Sequence, residues 1–427
     1  MDSSALPRSY RALLGVPALG RILVGMQVAR IAGQMVSIAI VLFTLDAFHS
    51  AALAGAVTFA GIFPGLLASP IAGALLDRHG RSRLIAIDYT VALASLALIG
   101  LLGLAGLLTP PLLVGIAAVS SLTAPLSATG LRSLFPLLVP RHLWERVNAV
   151  DSNGYVLASV VGPPLAGGMV QLWGGPAALI VIAGVFGLAA VILARIPDPD
   201  VETASSGHLL VDAWQGVLYT WRNPTLRGLG FSISILNIGG GMTAIVVPLL
   251  ILNRLHGGGA TVGAVFAIMG VGGMIAVFAT GRLESRGRER RMLVWPMLAS
   301  AGALTLLLPS GGLWLVALSM AVIGVLGGPL DIALFTLRQR RTDPAWTGRA
   351  FAVSMSFNFA GFPIGSALAG VLAARSIELA IVVGVVASVA AAIIAQVMIP
   401  GAEADAAPAI RSAGAAADSD RIREAID

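Results

Sequence analysis

The chain has 427 residues, of which 57% are hydrophobic and 11% charged, with a mean hydropathy of +0.90. Soluble domains carry about 25% charged residues, so this composition points away from a soluble enzyme and towards the membrane. Zero cysteines exclude disulfides, thiol catalysis and cysteine metal sites. Crossing hydrocarbon as a helix takes roughly 20 mostly apolar residues. Such runs fall at 20–46, 51–76, 84–107, 111–138, 148–172, 175–195, 227–252, 260–281, 292–309, 313–336, 349–373 and 377–399. The first is too long for a signal peptide and lacks a small-residue cleavage site. The twelve spans predict an all-α polytopic membrane protein.

Arginine placement sets the expected topology. The chain has no lysine, so all 27 basic residues are arginine. With the N-terminus inside, alternate loops collect Arg78, Arg81 and Arg83, then Arg141 and Arg146, Arg222, Arg282 through Arg291, and Arg338 through Arg341, whereas the opposite loops carry only Arg254 and Arg375. That asymmetry predicts cytoplasmic termini. It also accounts for the net charge of +6 without nucleic acid as a partner. Trp173 and Trp314 fall near outer span ends, and Trp144, Trp295 and Trp346 near inner ones, as interfacial anchors do.

The chain divides once. Ile196-Pro197-Asp198-Pro199-Asp200 closes the sixth span, and beyond it Leu209, Leu210, Ala213, Trp214, Val217, Leu218 and Trp221 share a helical face. The expected organisation is an N-terminal cytoplasmic segment over 1–19, a six-helix bundle over 20–197, and a cytoplasmic linker with an amphipathic helix over 198–226. A second six-helix bundle over 227–400 and a mobile cytoplasmic tail over 401–427 follow.

Two repeats indicate duplication. Gly73-Ala-Leu-Leu-Asp77-Arg78-His79-Gly80-Arg81-Ser82-Arg83 returns as Thr280-Gly281-Arg282-Leu283-Glu284-Ser285-Arg286-Gly287-Arg288-Glu289-Arg290, with acid, glycine and arginines in register. Val161-Gly162-Pro163-Pro164-Leu165-Ala166-Gly167 returns as Ile364-Gly365-Ser366-Ala367-Leu368-Ala369-Gly370. The first motif resembles the cytoplasmic loop signature of the major facilitator superfamily, G-x-x-x-D-R-x-G-R-R. Leu131 through Pro140, Asn148-Ala149-Val150-Asp151-Ser152 and Gly348-Arg349-Ala350-Phe351 resemble its bacterial efflux branch, which holds macrolide, multidrug and siderophore exporters. The glycine-proline run looks like the superfamily's antiporter signature, with three residues rather than two between Pro163 and Gly167-Gly168.

The resemblance implies the major facilitator fold, with twelve transmembrane helices as two pseudo-symmetric six-helix bundles, in a monomer of the bacterial inner membrane. Its contacts are membrane lipid, a small-molecule substrate and protons as coupling ion. The loop signature, Asp77, Arg78, Gly80 and Arg81 with Glu284, Gly287 and Arg288, reads as a conformational latch. Span 11 presents its partly positive N-terminus to the cytoplasm, where an acid such as Asp77 gains roughly 0.3–1 kcal/mol. Glu284 is placed to serve span 5 likewise. Both contacts need the cytoplasmic ends closed, and the arginines also enforce topology.

Polar groups inside spans are expensive and therefore informative. Gln27, Arg30 and Gln34 share one face of span 1, either on a hydrated substrate cavity or against a partner on span 4 or 5. Asn237 and Asn358 are further cavity candidates, and Gly239-Gly240-Gly241 is expected to mark a bend. Asp88, Arg132 and Asp151 form either an intracellular charge network or a proton relay, and Asp331 is the carboxylate most suited to titrate in the second half. No glycine loop has the lysine and strand context of a nucleotide site, and the five histidines are scattered, so no metal, cofactor or enzyme chemistry is expected. The expected activity is proton-linked efflux of a small organic compound by alternating access. The alternative is export of anionic metabolites or siderophores, or a lipid-handling relative; an unpaired Arg30 would favour anions.

Overall fold

A computed structural model of the protein describes residues 10–194, 209–280, 287–308, 312–343 and 347–401. Every regular element among them is helical: α1 (Tyr10–Leu14), α2 (Leu19–Phe48), α3 (Ala51–Ala60), α4 (Phe63–His79), α5 (Arg81–Leu104), α6 (Pro110–Leu138), α7 (Trp144–Trp173) and α8 (Gly175–Leu193), then α9 (Leu209–Arg222), α10 (Pro224–Leu249), α11 (Gly259–Thr280), α12 (Glu289–Thr305), α13 (Leu313–Arg340), α14 (Thr347–Ala373) and α15 (Ile377–Met398). Polar caps start several of them. Ser50 Oγ accepts from Leu53 N (3.2 Å), Ser376 Oγ from Leu379 N (3.2 Å), and Asn223 Oδ1 from Thr225 N and Leu226 N (3.0 and 3.1 Å). The amide of Asn223 meanwhile donates to the Arg341 carbonyl (2.8 Å), tying the start of α10 to the end of α13.

Among the described residues eleven spans, one of them the broken pair α3–α4, are long and apolar enough to cross a membrane. The predicted ninth span is not one of the eleven: α12 has 17 residues and opens on Glu289, Arg290 and Arg291. At 1.5 Å per residue it reaches about 26 Å. The predicted second span is interrupted at Gly61–Ile62, where Pro64 in the first turn of α4 restarts the helix. At Gly239-Gly240-Gly241, where a bend is expected, the helix is not interrupted. The irregularity of α10 is a π-helical turn at Leu250–Arg254, just after Pro248.

In the first half α2 packs on α7 and α8, α5 on α6 and α8, and α4 on α6; in the second, α10 packs on α14 and α15, α11 on α13, and α12 on α13 and α15. The halves meet where α7 lies against α11 and α3 against α14. At the end far from the chain termini one apolar core runs through both halves, from Phe43, Val57 and Leu179 to Ile245, Val262 and Ile381. At the near end the core divides into separate clusters, around Leu19, Leu134 and Leu193 and around Leu76 and Leu126 in the first half, and around Leu229, Leu293 and Leu337 in the second. The near end of α10 and α14 also carries α9. Residues 1–9, the linker over 195–208, Glu284 within 281–286 and the tail from 402 onwards lie outside the described residues.

Candidate functional site

The polar stripe of α2 faces α7. Gln27 Nε2 donates to the Gly154 carbonyl (3.1 Å), Arg30 Nη1 donates to the Asp151 carbonyl (2.8 Å), and Arg30 Nη2 pairs with Asp151 Oδ1. Gly154 makes that reach possible, since a Cβ there would lie 2.5 Å from Gln27 Oε1 and 2.9 Å from Arg30 Nη1. Gln34 abuts Gly162 one level further along. Asp151 Oδ2 accepts from Arg132 Nε of α6 (3.2 Å). Both guanidinium carbons lie over the Tyr155 ring, at 3.7 Å for Arg30 and 4.9 Å for Arg132. The Arg30 and Asp151 side chains are 10% and 8% exposed, Arg132 49%.

This geometry decides one expectation and corrects another. Of the two places open to Arg30, a hydrated cavity or a partner on span 4 or 5, it takes the second: Asp151 of α7, one helix over at the same depth, neutralises it. Asp88 does not join Arg132 and Asp151; it is buried and accepts from Thr123 Oγ1 of α6 (2.7 Å). The four charges therefore separate into an Arg30–Asp151–Arg132 group and an acid held by a hydroxyl. Tyr155 was not anticipated as part of the group, although its position four residues after Asp151 puts both on one face of α7.

The second half repeats the arrangement in amides. Asn237 Nδ2 of α10 donates to the Asn358 carbonyl of α14 (2.9 Å), across the same 121 residues that separate Arg30 from Asp151. The Asn358 side chain, its amide oriented by its hydrogen-bond partners, accepts from Arg338 Nη2 of α13 and donates to the Ser354 carbonyl (3.1 Å). Arg338, expected in a cytoplasmic loop, is 1% exposed inside the bundle, with Nη1 on Met355 Sδ (2.7 Å). Thus Arg30, Arg132 and Asp151 have Asn237, Arg338 and Asn358 as counterparts, with an amide in place of the acid.

Beside this second group lies a cavity of about 290 Å³ among α10, α12, α13, α14 and α15. Asn237, Thr243, Ser300, Asp331, Asn358 and Ser388 supply its polar lining, and Phe335, Phe359 and Met355 part of its apolar wall. Asp331 is the one ionisable side chain in that lining. Its carboxylate is open to the cavity and makes no hydrogen bond or ion pair among the described residues.

The family model of the Major Facilitator Superfamily matches residues 22–238 and again residues 229–419. The chain belongs to the Major Facilitator Superfamily. It is 38% identical over 387 residues to an uncharacterised transporter of that type, y4rN of Sinorhizobium fredii (strain NBRC 101917 / NGR234), covering 90% of this chain and 96% of the relative. It is 26% identical to the multidrug efflux pump Tap of Mycolicibacterium fortuitum, over 76% of this chain and 81% of that one. The crystal structure of the nucleoside transporter NupG superposes with a TM-score of 0.65 at 13% identity, covering 88% of this chain and 97% of that one, which shows a shared fold. This Major Facilitator Superfamily protein is therefore a transporter with efflux-pump relatives, and not an enzyme.

Close glycine contacts between the halves seal its far end. A Cβ on Gly167 of α7 would stand 2.1 Å from the Gly259 carbonyl of α11, and one on Gly370 of α14 would stand 2.5 Å from the Ala51 carbonyl of α3. Gln171 Oε1 adds a bond from Ala260 N (2.9 Å). Of the expected latch, Asp77 and Arg78 end α4 and Gly80 (φ 87°) turns the chain into α5, which begins at Arg81. The side chains of Asp77 and Arg78, like Glu284, lie outside the described residues, and Gly287 and Arg288 lead into α12.

Proposed function

We propose that this protein is a secondary active transporter that exports a small organic compound by alternating access, driven by the proton gradient across the bacterial inner membrane, with both termini in the cytoplasm. It acts as a monomer without a cofactor. The observation that carries the reading is Asp331, a carboxylate with no ion-pair partner among the described residues, on the wall of a cavity with no other ionisable group. A lone carboxylate in a confined, mostly apolar space is suited to take a proton or a cation in alternation, and that competition couples the two flows. Asp151 is less suited, since two guanidinium groups already share its oxygens.

With Arg30 neutralised and Asp331 unpaired, an amphiphilic cation fits better than an anion; the aromatic rings of Phe335 and Phe359 would flank its apolar body. The anionic alternative keeps one support, the half-exposed Arg132 beside Tyr155. In this orientation the sealed far end is extracytoplasmic. Reconstituted protein and the Asp331→Asn variant decide the matter. Proton-driven accumulation of a lipophilic cation should be lost in the variant while equilibrium exchange persists. Unchanged uphill transport by Asp331→Asn would remove the carboxylate from the mechanism.

A further inference from the structure

A second cavity, about 420 Å³, opens where the near ends of α12, α13 and α15 meet. Its walls carry four arginines, Arg288, Arg290, Arg291 and Arg341, and one acid, Glu289. That acid is buried and ion-paired to Arg340 of α13, so it leaves the cavity's positive charge uncancelled. Arg341 is fixed by three bonds: to Thr225 Oγ1 (3.2 Å), the Pro400 carbonyl (2.9 Å) and the Gly401 carbonyl (3.1 Å). These clamp the chain leaving α15 onto the rim. Arg290 reaches the Ile399 carbonyl only at 3.5 Å, and neither Arg288 nor Arg291 makes a hydrogen bond or ion pair among the described residues.

We infer that this cavity seats the phosphate of an anionic phospholipid headgroup. Guanidinium groups converging from two helices match a phosphate, which offers several acceptor oxygens to bidentate donors. A free phosphate would satisfy the same chemistry. What selects a lipid is the outer face of α12, where Arg288, Arg291, Trp295 and Leu298 fall at i, i+3, i+7 and i+10 on one strip. Trp295 is 68% exposed and Leu298 37%, with both arginines exposed above them. Passing from the cavity rim into the membrane, the strip presents charge, then an indole, then aliphatic surface. That is the order of a lipid from headgroup through interface to acyl chain. α12 has only 17 residues and opens on Glu289, Arg290 and Arg291, and its length of about 26 Å, short of a hydrocarbon core of about 30 Å, favours arginines held at the bilayer surface. A lipid held there would bridge α12, α13 and the chain after α15, bracing the short helix in the bundle.

The test uses the full chain purified in detergent, titrated with phosphatidylglycerol or phosphatidylcholine and read by native mass spectrometry and Tm. The parent should retain phosphatidylglycerol selectively and gain Tm from it. Arg288→Gln/Arg291→Gln should weaken that binding about 30-fold, at roughly a factor of five per arginine, and leave phosphatidylcholine binding unchanged. Should the double variant fail to fold, Arg291→Glu alone carries the test with the same expectation. The inference is overturned if the parent does not distinguish the two lipids, if the variant binds phosphatidylglycerol as the parent does, or if inorganic phosphate alone reproduces the gain in Tm.

Discussion

Asp151 and Arg30 belong to one group, yet removing them should not have the same consequence. Asp151 is the only acid between two guanidinium groups, and Arg30 beside it is 10% exposed. Taking away one partner of a buried pair costs about 3–5 kcal/mol, because the other charge stays desolvated. Asp151→Ala leaves Arg30 in that position and should lower stability by an amount in that range. Arg30→Ala leaves Asp151 with Arg132, which is half exposed and free to adjust, so its cost should be smaller, about 1–3 kcal/mol. Thermal unfolding of both variants in one detergent checks the order, and Arg30→Ala proving the more damaging would contradict it. The sequence made the depth of each residue legible, since arginine, acid and amides could be counted along their spans. It left the partner of Arg30 open, because that choice depends on how each helix is rotated. Arg30 was thus visible as a mid-membrane charge, while its counterion on α7 needed the glycine at position 154 to come into view.

Helix count and order were legible because apolar length is written directly into the chain, and so was the duplication, through the two repeated motifs. The departures have local causes. Pro64 restarts the second span as a separate helix, and α12 begins on three charged residues that cannot enter hydrocarbon. Glycines were the least legible, since the same residue type serves bends and close packing alike. In α10 and α14 they serve packing. A Cβ on Gly361 would stand 1.7 Å from the Ser234 carbonyl, and one on Gly241 would stand 2.0 Å from the Phe362 carbonyl. Both contacts lie inside the second half, where the helices stay together through any rocking of the halves. Gly361→Ala must therefore separate α10 from α14 in every state. It should destabilise the protein by about 1–3 kcal/mol, the usual cost of overpacking, seen as a lower Tm and poorer yield. A Tm equal to that of the parent would mean that these helices are not locked together.

Across the whole molecule the two halves share an apolar core at the far end and keep separate cores at the near end, so one end is closed. The far-end glycines act on a different equilibrium from those inside a half. Gly167 faces the Gly259 carbonyl, and Gly370 the Ala51 carbonyl, each across the boundary between halves. A methyl group there collides only while the far end is shut, and the opposite conformation removes the clash. Gly167→Ala/Gly370→Ala should therefore favour the state in which the far end is open. A bias of about 1–3 kcal/mol, the scale of a packing clash, is enough to shift the populations roughly five- to 150-fold. Because the chain contains no cysteine, a spin-label pair can be introduced without other changes, for example at exposed Leu172 of α7 and Leu379 of α15. The variant should broaden and lengthen that distance distribution while keeping the Tm of the parent, in contrast to Gly361→Ala. A distribution identical to that of the parent would show that these contacts do not hold the far end closed.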